Sequence, residues 1–285
     1  MSEYLLLTKF WNEREKIPDL VKSVAQQTKK PSLWLLIDDG STDGSGEMFE
    51  RLAAEAGIAT LISHMPPKMK GNLDRLGYAY NNAFTEFRDI LDRMSPSYLA
   101  LADVDTRFPK DYFEHMTAIM DADRRLGCIN GQIGNETKRM DWPRGSGKIT
   151  RWSVVQSISK FWDIDADSFL NIKALRQGFI LRVIPNIKVY ADPSAVFTAK
   201  GRFRFGRVSY YERKHPLLVI QMALSLVARR QFGTDYLRGY FQEWSRGKWK
   251  CSDMDVRYYY SLEYRVRSWI MRLFHIGRHV WPVII

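Results

Sequence analysis

The chain has 285 residues, enough to bury a substantial core as one large domain or as a domain with an appendage. Hydrophobic content of 45% and charged content of 26% are those of a globular protein, and two cysteines, Cys128 and Cys251, exclude a disulfide framework. The net charge of +11 is unevenly placed: residues 1–195 carry 26 basic and 26 acidic side chains, whereas residues 196–285 carry 17 basic, 6 acidic and 18 of the 38 aromatics. The expectation is a neutral body over 1–195 and a basic, aromatic-rich, helical extension over 196–285. With reduced cysteines and no n-region, h-region and cleavage site at the start, a cytoplasmic setting is expected.

In chain order, residues 4–10 read as a strand. Lys16–Thr28 reads as a helix on the spacing of Ile17, Leu20, Val21, Val24 and Ala25. Leu33–Asp38 is a second strand, Gly46–Gly57 a helix and Ala59–Ser63 a short strand. A loop, Pro66-Pro67-Lys68-Met69-Lys70-Gly71, leads to a helix over Leu76–Met94, a strand over Tyr98–Ala102 and a helix from Lys110 to Leu126. Strands and helices alternating at this spacing predict parallel βαβ units, so the fold class is α/β. After Gly127 the pattern is irregular, and residues 134–150 read as a loop. Asp167–Gln177 returns to helical periodicity with Gly178 as C-cap, followed by a strand pair, Phe179–Ile184 and Ile187–Ala191, broken at Pro185-Asn186.

Two strand ends carry the chemistry. Leu35-Leu36-Ile37-Asp38-Asp39-Gly40-Ser41-Thr42-Asp43 is an apolar run delivering carboxylates to the carboxyl edge of a sheet, where ligands of open α/β sheets bind. Tyr98-Leu99-Ala100-Leu101-Ala102-Asp103-Val104-Asp105 does the same and precedes Phe108-Pro109. Asp-x-Asp occurs five times in the chain, but only the pair at 103 and 105 follows an apolar strand. Hard divalent cations favour such carboxylate oxygens.

With both strand ends in view, the chain resembles the family 2 inverting glycosyltransferases over residues 1–195. Asp38-Asp39-Gly40-Ser41-Thr42-Asp43 matches the family's second-strand motif, and Asp103-Val104-Asp105 its metal motif. The first strand ends in Lys9-Phe10-Trp11-Asn12-Glu13, where Lys9 and Trp11 replace the usual proline and tyrosine. The resemblance implies a GT-A (Rossmann-like), mostly parallel sheet flanked by helices, a nucleotide-diphosphate sugar donor, and Mg2+ or Mn2+ held by Asp103 and Asp105. It places Lys9, Trp11, Glu13, Asp39 and Val104 against the donor; Trp11 can equally be a core residue. The family's base implies Asp167, the second acidic position before a helix closing in Gly178; Ala166 replaces the first, and Asp163 or Asp165 are the alternatives. A carboxylate there would take the acceptor proton, or simply cap the helix.

The basic segment Lys200–Arg207 lies where related enzymes have a mobile loop, so Arg202 and Arg207 are expected on the donor phosphates or, equally, on lipid headgroups. His215 is either a further metal ligand or a surface histidine. The apolar run Leu217–Ala228 is too short to span a bilayer and is either a buried or an interfacial helix. With the arginines and aromatics of Tyr264–Ile285, including Phe274, Arg278 and Trp281, it implies peripheral attachment to an anionic membrane on the inner face, and a lipid-linked or other glycan acceptor. A nucleotidyltransferase would need a glycine-rich phosphate loop after the first strand, where Trp11-Asn12-Glu13-Arg14 stands. A nucleic-acid-binding protein would need a recognisable module, and none is present, so no nucleic-acid partner is expected.

Overall fold

The computed structural model describes residues 2–67, 76–134, 140–159, 165–193, 195–248 and 250–273. The chain forms two compact units, Met1–Asp192 and Pro193–Ile285. In the first, the described elements are β1 (Tyr4–Phe10), α1 (Ile17–Ala25), β2 (Leu33–Asp38), α2 (Ser45–Glu55), β3 (Thr60–His64), α3 (Leu76–Glu86), α4 (Arg88–Met94), β4 (Tyr98–Leu101), α5 (Tyr112–Ala122), β5 (Leu126–Ile133), β6 (Ile149–Arg151), α6 (Trp152–Gln156), α7 (Ala166–Arg176) and β7 (Ile180–Val189).

The seven strands form one sheet in the order β3-β2-β1-β4-β6-β5-β7. β1 pairs in parallel with β2 and β4, β2 with β3, and β5 with β7, while β6 pairs antiparallel with both β4 and β5. The chain steps outward from β1 through β2 to β3, then returns to place β4 on the other side of β1. That reversal opens a crevice beyond the carboxyl ends of β1 and β4, where ligands of such sheets bind. β2 is buried at every position, as the apolar run Leu33–Ile37 requires of a strand covered on both faces. Trp34 meets its polar requirement by donating from Nε1 to Thr8 Oγ1 at 3.0 Å.

Three expectations are corrected. The single helix over 76–94 is two, α3 and α4, broken at Phe87. β5 lies in the stretch whose pattern turns irregular after Gly127. Its glycines hide the strand from a propensity argument but are needed for packing: a Cβ on Gly127 would meet the Phe179 Cβ at 2.5 Å. The strand pair 179–191 is one bulged strand, β7. Gly131 is opposite Ile184 and Gln132 opposite Lys188, so Pro185, Asn186 and Ile187 loop out of register. Proline lacks the N–H that a ladder position needs.

The second unit contains a 3-10 turn (Ala195–Phe197) and helices α8 (Ala199–Tyr211), α9 (Pro216–Ala228), α10 (Gly233–Ser245), α11 (Met254–Tyr259) and α12 (Leu262–Leu273). No described helix is long and apolar enough to cross a membrane. α8 and α10 approach through glycines: a Cβ on Gly206 would lie 2.0 Å from the Tyr236 carbonyl oxygen, and one on Gly239 2.0 Å from that of Phe203. Gly239→Val should therefore force the helices apart and cost about 1–3 kcal/mol, read as a lowered melting temperature in thermal denaturation. An unchanged melting temperature would refute the close crossing.

Candidate active site

At the carboxyl edge the loops after β1 and β2 are laced together. Asn12 takes a left-handed conformation (φ 51°), which asparagine tolerates better than most residues. Its Oδ1 accepts from the Thr42 N–H at 2.8 Å, and its own N–H donates to Ser41 Oγ at 3.0 Å. The Glu13 N–H donates to Ser45 Oγ at 3.0 Å. Asp38 serves the turn, accepting from the Ser41 N–H at 2.8 Å. Gly40 (φ 79°) lets the chain pass Pro66, whose carbonyl oxygen would lie 2.7 Å from a Cβ. Asp39 is 1% exposed and paired to Lys9 Nζ at 2.8 Å, so Lys9 holds the carboxylate in place. Trp11 stands 44% exposed at this edge, which excludes the core alternative.

Asp39→Ala would remove this buried carboxylate. The expected outcome is about 10- to 100-fold weaker binding of a nucleoside diphosphate by calorimetry, the scale of a hydrogen bond to a charged group. Unchanged affinity would sink the nucleoside role.

Beyond β4, Asp103 is exposed and Asp105 half-buried, while Val104 between them is 2% exposed and part of the hydrophobic core. Val104 is thus not a side-chain contact for substrate; its carbonyl accepts from Arg107 Nη1 at 3.1 Å. Ser146 Oγ donates to Asp103 Oδ2. Burial raises the Asp105 pKa, Asp103 and Asp192 raise it further, and Lys16 opposes them. Glu13 is likewise raised, first by burial and then by Asp105 and Asp103, against the lowering effect of Lys16 and Lys9. Lys16 is itself bonded to Asp192 at 2.6 Å.

Three carboxylates from two strand ends therefore share one small region with more negative charge than its lysines neutralise. Such a region suits a hard cation. Among the described residues no group of three or more His, Cys, Asp or Glu side chains is placed to hold a metal. Asp103 and Asp105 fit an ion whose remaining ligands are phosphate oxygens and water, the habit of Mg2+ and related ions.

Asp167 lies in the second turn-position of α7, and the cap of that helix is Asp165, whose Oδ1 accepts from the Ser168 N–H at 3.2 Å. This corrects the capping alternative: Asp165 closes the helix and leaves the Asp167 carboxylate for other work. Asp163 lies outside the described residues. Lys148, fully buried, donates from Nζ to the Asp167 carbonyl at 2.6 Å. The Asp167 carboxyl is pushed up to about 7, chiefly by burial, and Asp103 and Asp165 add to the shift against Lys148 and Arg144. Buried Tyr80 of α3 is raised by burial and then by Asp167 and Asp103, which sets the phenol and both carboxylates at one locus.

Gly145 passes so close that a Cβ would come within 2.2 Å of Asp167 Oδ2. Gly145→Ala should displace the carboxylate and lower kcat at unchanged donor affinity, measured by single-turnover kinetics against calorimetry; normal turnover would refute the contact. Tyr80, Ser146 and Lys148 carried no motif. They reach the site from an ordinary helix and an irregular loop, and only spacing in three dimensions reveals them.

The second unit departs from expectation. Lys200–Arg207 is helical, within α8, and not a loop. Gly201 donates its N–H to the capping Thr198 Oγ1 at 3.0 Å, and Gly206 makes the helix crossing. Arg207 Nε is bonded at 2.7 Å to fully buried Glu243, which also accepts from the Tyr211 hydroxyl at 3.0 Å. Arg202 is 7% exposed, bonded to Gln231 at 3.3 Å and set over the Phe197 ring. Both arginines thus have partners inside their own unit. His215 caps α9, its Nδ1 accepting from the Leu217 N–H at 3.3 Å.

Among curated protein sequences none matches the chain. Solved structures do match in fold. The mannosyltransferase PcManGT from Pyrobaculum calidifontis, in complex with GDP-Man and Mn2+, has a TM-score of 0.58 at 15% identity over 87% of this chain and 76% of its own. S. aureus TarS 1–349 in complex with UDP-GlcNAc gives 0.53 at 14% identity, covering 88% of this chain and 94% of its own. Glucosyl-3-phosphoglycerate synthase from Mycobacterium tuberculosis gives 0.50 at 13% identity over 72% of this chain and 78% of its own. These likenesses show the GT-A arrangement of the sheet and its flanking helices. The Glycosyl transferase family 2 profile matches residues 6–177, from β1 through the end of α7, and so covers every strand end described above; the chain belongs to glycosyl transferase family 2.

Proposed function

We propose that this glycosyltransferase moves one sugar from a nucleotide-diphosphate sugar to a glycan acceptor, with inversion at the anomeric carbon. The observation that carries the reading is the convergence of Glu13, Asp103, Asp105 and Asp167 at one edge of the sheet, where their charges perturb one another. Asp39, anchored by Lys9, and Glu13 accept hydrogen bonds from the nucleoside, and Trp11 lines its pocket. A divalent cation at Asp103 and Asp105 would neutralise the leaving diphosphate; the Mn2+ in the PcManGT complex supports this choice.

Asp167 takes the proton from the acceptor hydroxyl as that oxygen attacks the anomeric carbon. A raised pKa suits a base that works near neutrality, because its conjugate proton affinity is then matched to the task. Lys148 fixes the Asp167 backbone carbonyl, and the close passage of Gly145 confines the carboxylate. The acceptor we propose is a lipid-linked glycan at the cytoplasmic face of the membrane, a choice supported by the basic, aromatic-rich composition of residues 196–285.

The test is a panel of nucleotide sugars, with and without Mn2+, followed by release of nucleoside diphosphate and by thermal shift. Stabilisation and turnover by one nucleotide class, dependent on the cation, is the expected result. A panel with no stabilisation and no release would overturn the proposal.

A further inference from the structure

Helix α9 is apolar on both sides, yet the fold covers only one of them. Val219, Ala223 and Leu226 are buried, and Gly233 at the start of α10 comes so near that a Cβ there would meet the Ala223 carbonyl oxygen at 2.3 Å. On the opposite side Leu217, Ile220, Leu224 and Val227 recur at i, i+3, i+7 and i+10, which sets them in one stripe. They are 60%, 39%, 64% and 50% exposed. The helix has no charged residue, and exposed Arg229 and Arg230 follow it directly. Monomeric proteins seldom leave such a contiguous stripe to water; it marks an interaction face.

We propose that the outer face of α9 inserts into an anionic membrane surface. The helix lies in the plane of the interface, with Leu217, Ile220, Leu224 and Val227 at the acyl boundary and Arg229 and Arg230 among the lipid phosphates. Charge complementarity selects this occupant. Residues 196–285 hold 17 basic against 6 acidic side chains, so a second copy would set like charge against like, whereas anionic headgroups neutralise it. Length selects the orientation: 13 residues rise about 20 Å, short of the ~30 Å hydrocarbon layer. Trp269 of α12, 62% exposed beside exposed Val266 and Ile270, is a second side chain suited to headgroup depth. The inference deepens the membrane-side acceptor reading, and rests on it for purpose but not for its test.

Co-sedimentation of the full chain is compared between phosphatidylcholine vesicles and vesicles that also contain phosphatidylglycerol, at low and high salt. The expected result is pelleting with the anionic vesicles, weakened by salt. Leu217→Ser/Leu224→Ser should lower that partition at least about tenfold, since it removes apolar burial, while melting temperature and nucleotide binding stay unchanged. Three results would overturn the proposal. One is no pelleting of the wild type; another is equal pelleting of the double variant, which would mean adsorption by charge alone. The third is a concentration-dependent dimer in light scattering that the double variant dissolves, which would assign the face to a second copy. Failure of the transfer chemistry would show in the nucleotide panel and leave the pelleting untouched.

Discussion

Asp167→Asn is expected to leave donor affinity intact and to lower kcat by about 10²- to 10⁴-fold, the usual contribution of a positioned base. The amide keeps the shape and the Lys148 contact to the backbone carbonyl, and loses only the ability to take a proton. In the wild type, kcat/KM should fall about tenfold per pH unit below about 7, because the protonated carboxyl cannot act as base. The same shift has a stability consequence of opposite sense. A folded carboxyl that titrates near 7 binds its proton more tightly than the unfolded one, near 4. The stabilisation it contributes is present below pH 4 and is lost as pH rises through 7. Asp167→Asn removes that loss, so between pH 5 and pH 8 the variant should be more stable than wild type by an amount on the order of 1–4 kcal/mol, read as a raised melting temperature. A variant with wild-type turnover would refute the base. If Asp165→Asn were inactive through more than loss of its cap, the base would belong there instead.

Asp103→Asn is expected to abolish cation-dependent turnover while the fold survives. The residue is exposed at a strand end, and the amide oxygen can still accept from Ser146 Oγ. It removes one carboxylate of the Asp103/Asp105 pair, and Asp105 is itself raised, first by burial and then by Asp103. Calorimetry with Mn2+ and a nucleoside diphosphate should show the loss of the cation's contribution to nucleotide affinity. A second readout separates this role from mere damage. Asp103 is one of the charges that raise Asp167, so its neutralisation should move any residual acid limb of the pH profile to lower pH. Near-normal turnover with unchanged cation dependence would refute the assignment.

The sheet up to β4 was legible from the chain alone. β1 and β2 occupy residues 4–10 and 33–38, marked by the apolar runs Tyr4–Leu7 and Leu33–Ile37, because a parallel strand buried on both faces must be largely apolar. Asp39, Asp103 and Asp105 were legible for a related reason. A carboxylate pair at the end of such a run needs polar partners that an apolar core lacks, and topology carries it to the carboxyl edge of the sheet, where Lys9 meets Asp39. The motifs in those same strand ends pointed to the family, and the match over residues 6–177 bears that identification out.

Other parts were decided only in three dimensions. β5 contains Gly127, Asn130 and Gly131, residues of low strand propensity, and forms because Phe179, Tyr112 and β7 pack where side chains would otherwise stand. Arg202 and Arg207 sit in a sequence that looks like a glycine-loosened loop, yet the glycines serve a helix cap and a helix crossing, and Glu243, 36 residues on, claims Arg207. The division of labour between Asp165 and Asp167 followed from which carboxylate met a free helix N–H. Local pattern determined where apolar runs end in acid. Long-range packing determined which of those acids cap a helix, close a turn or pair with a lysine, because hydrogen-bond partners distant in the chain are invisible to spacing.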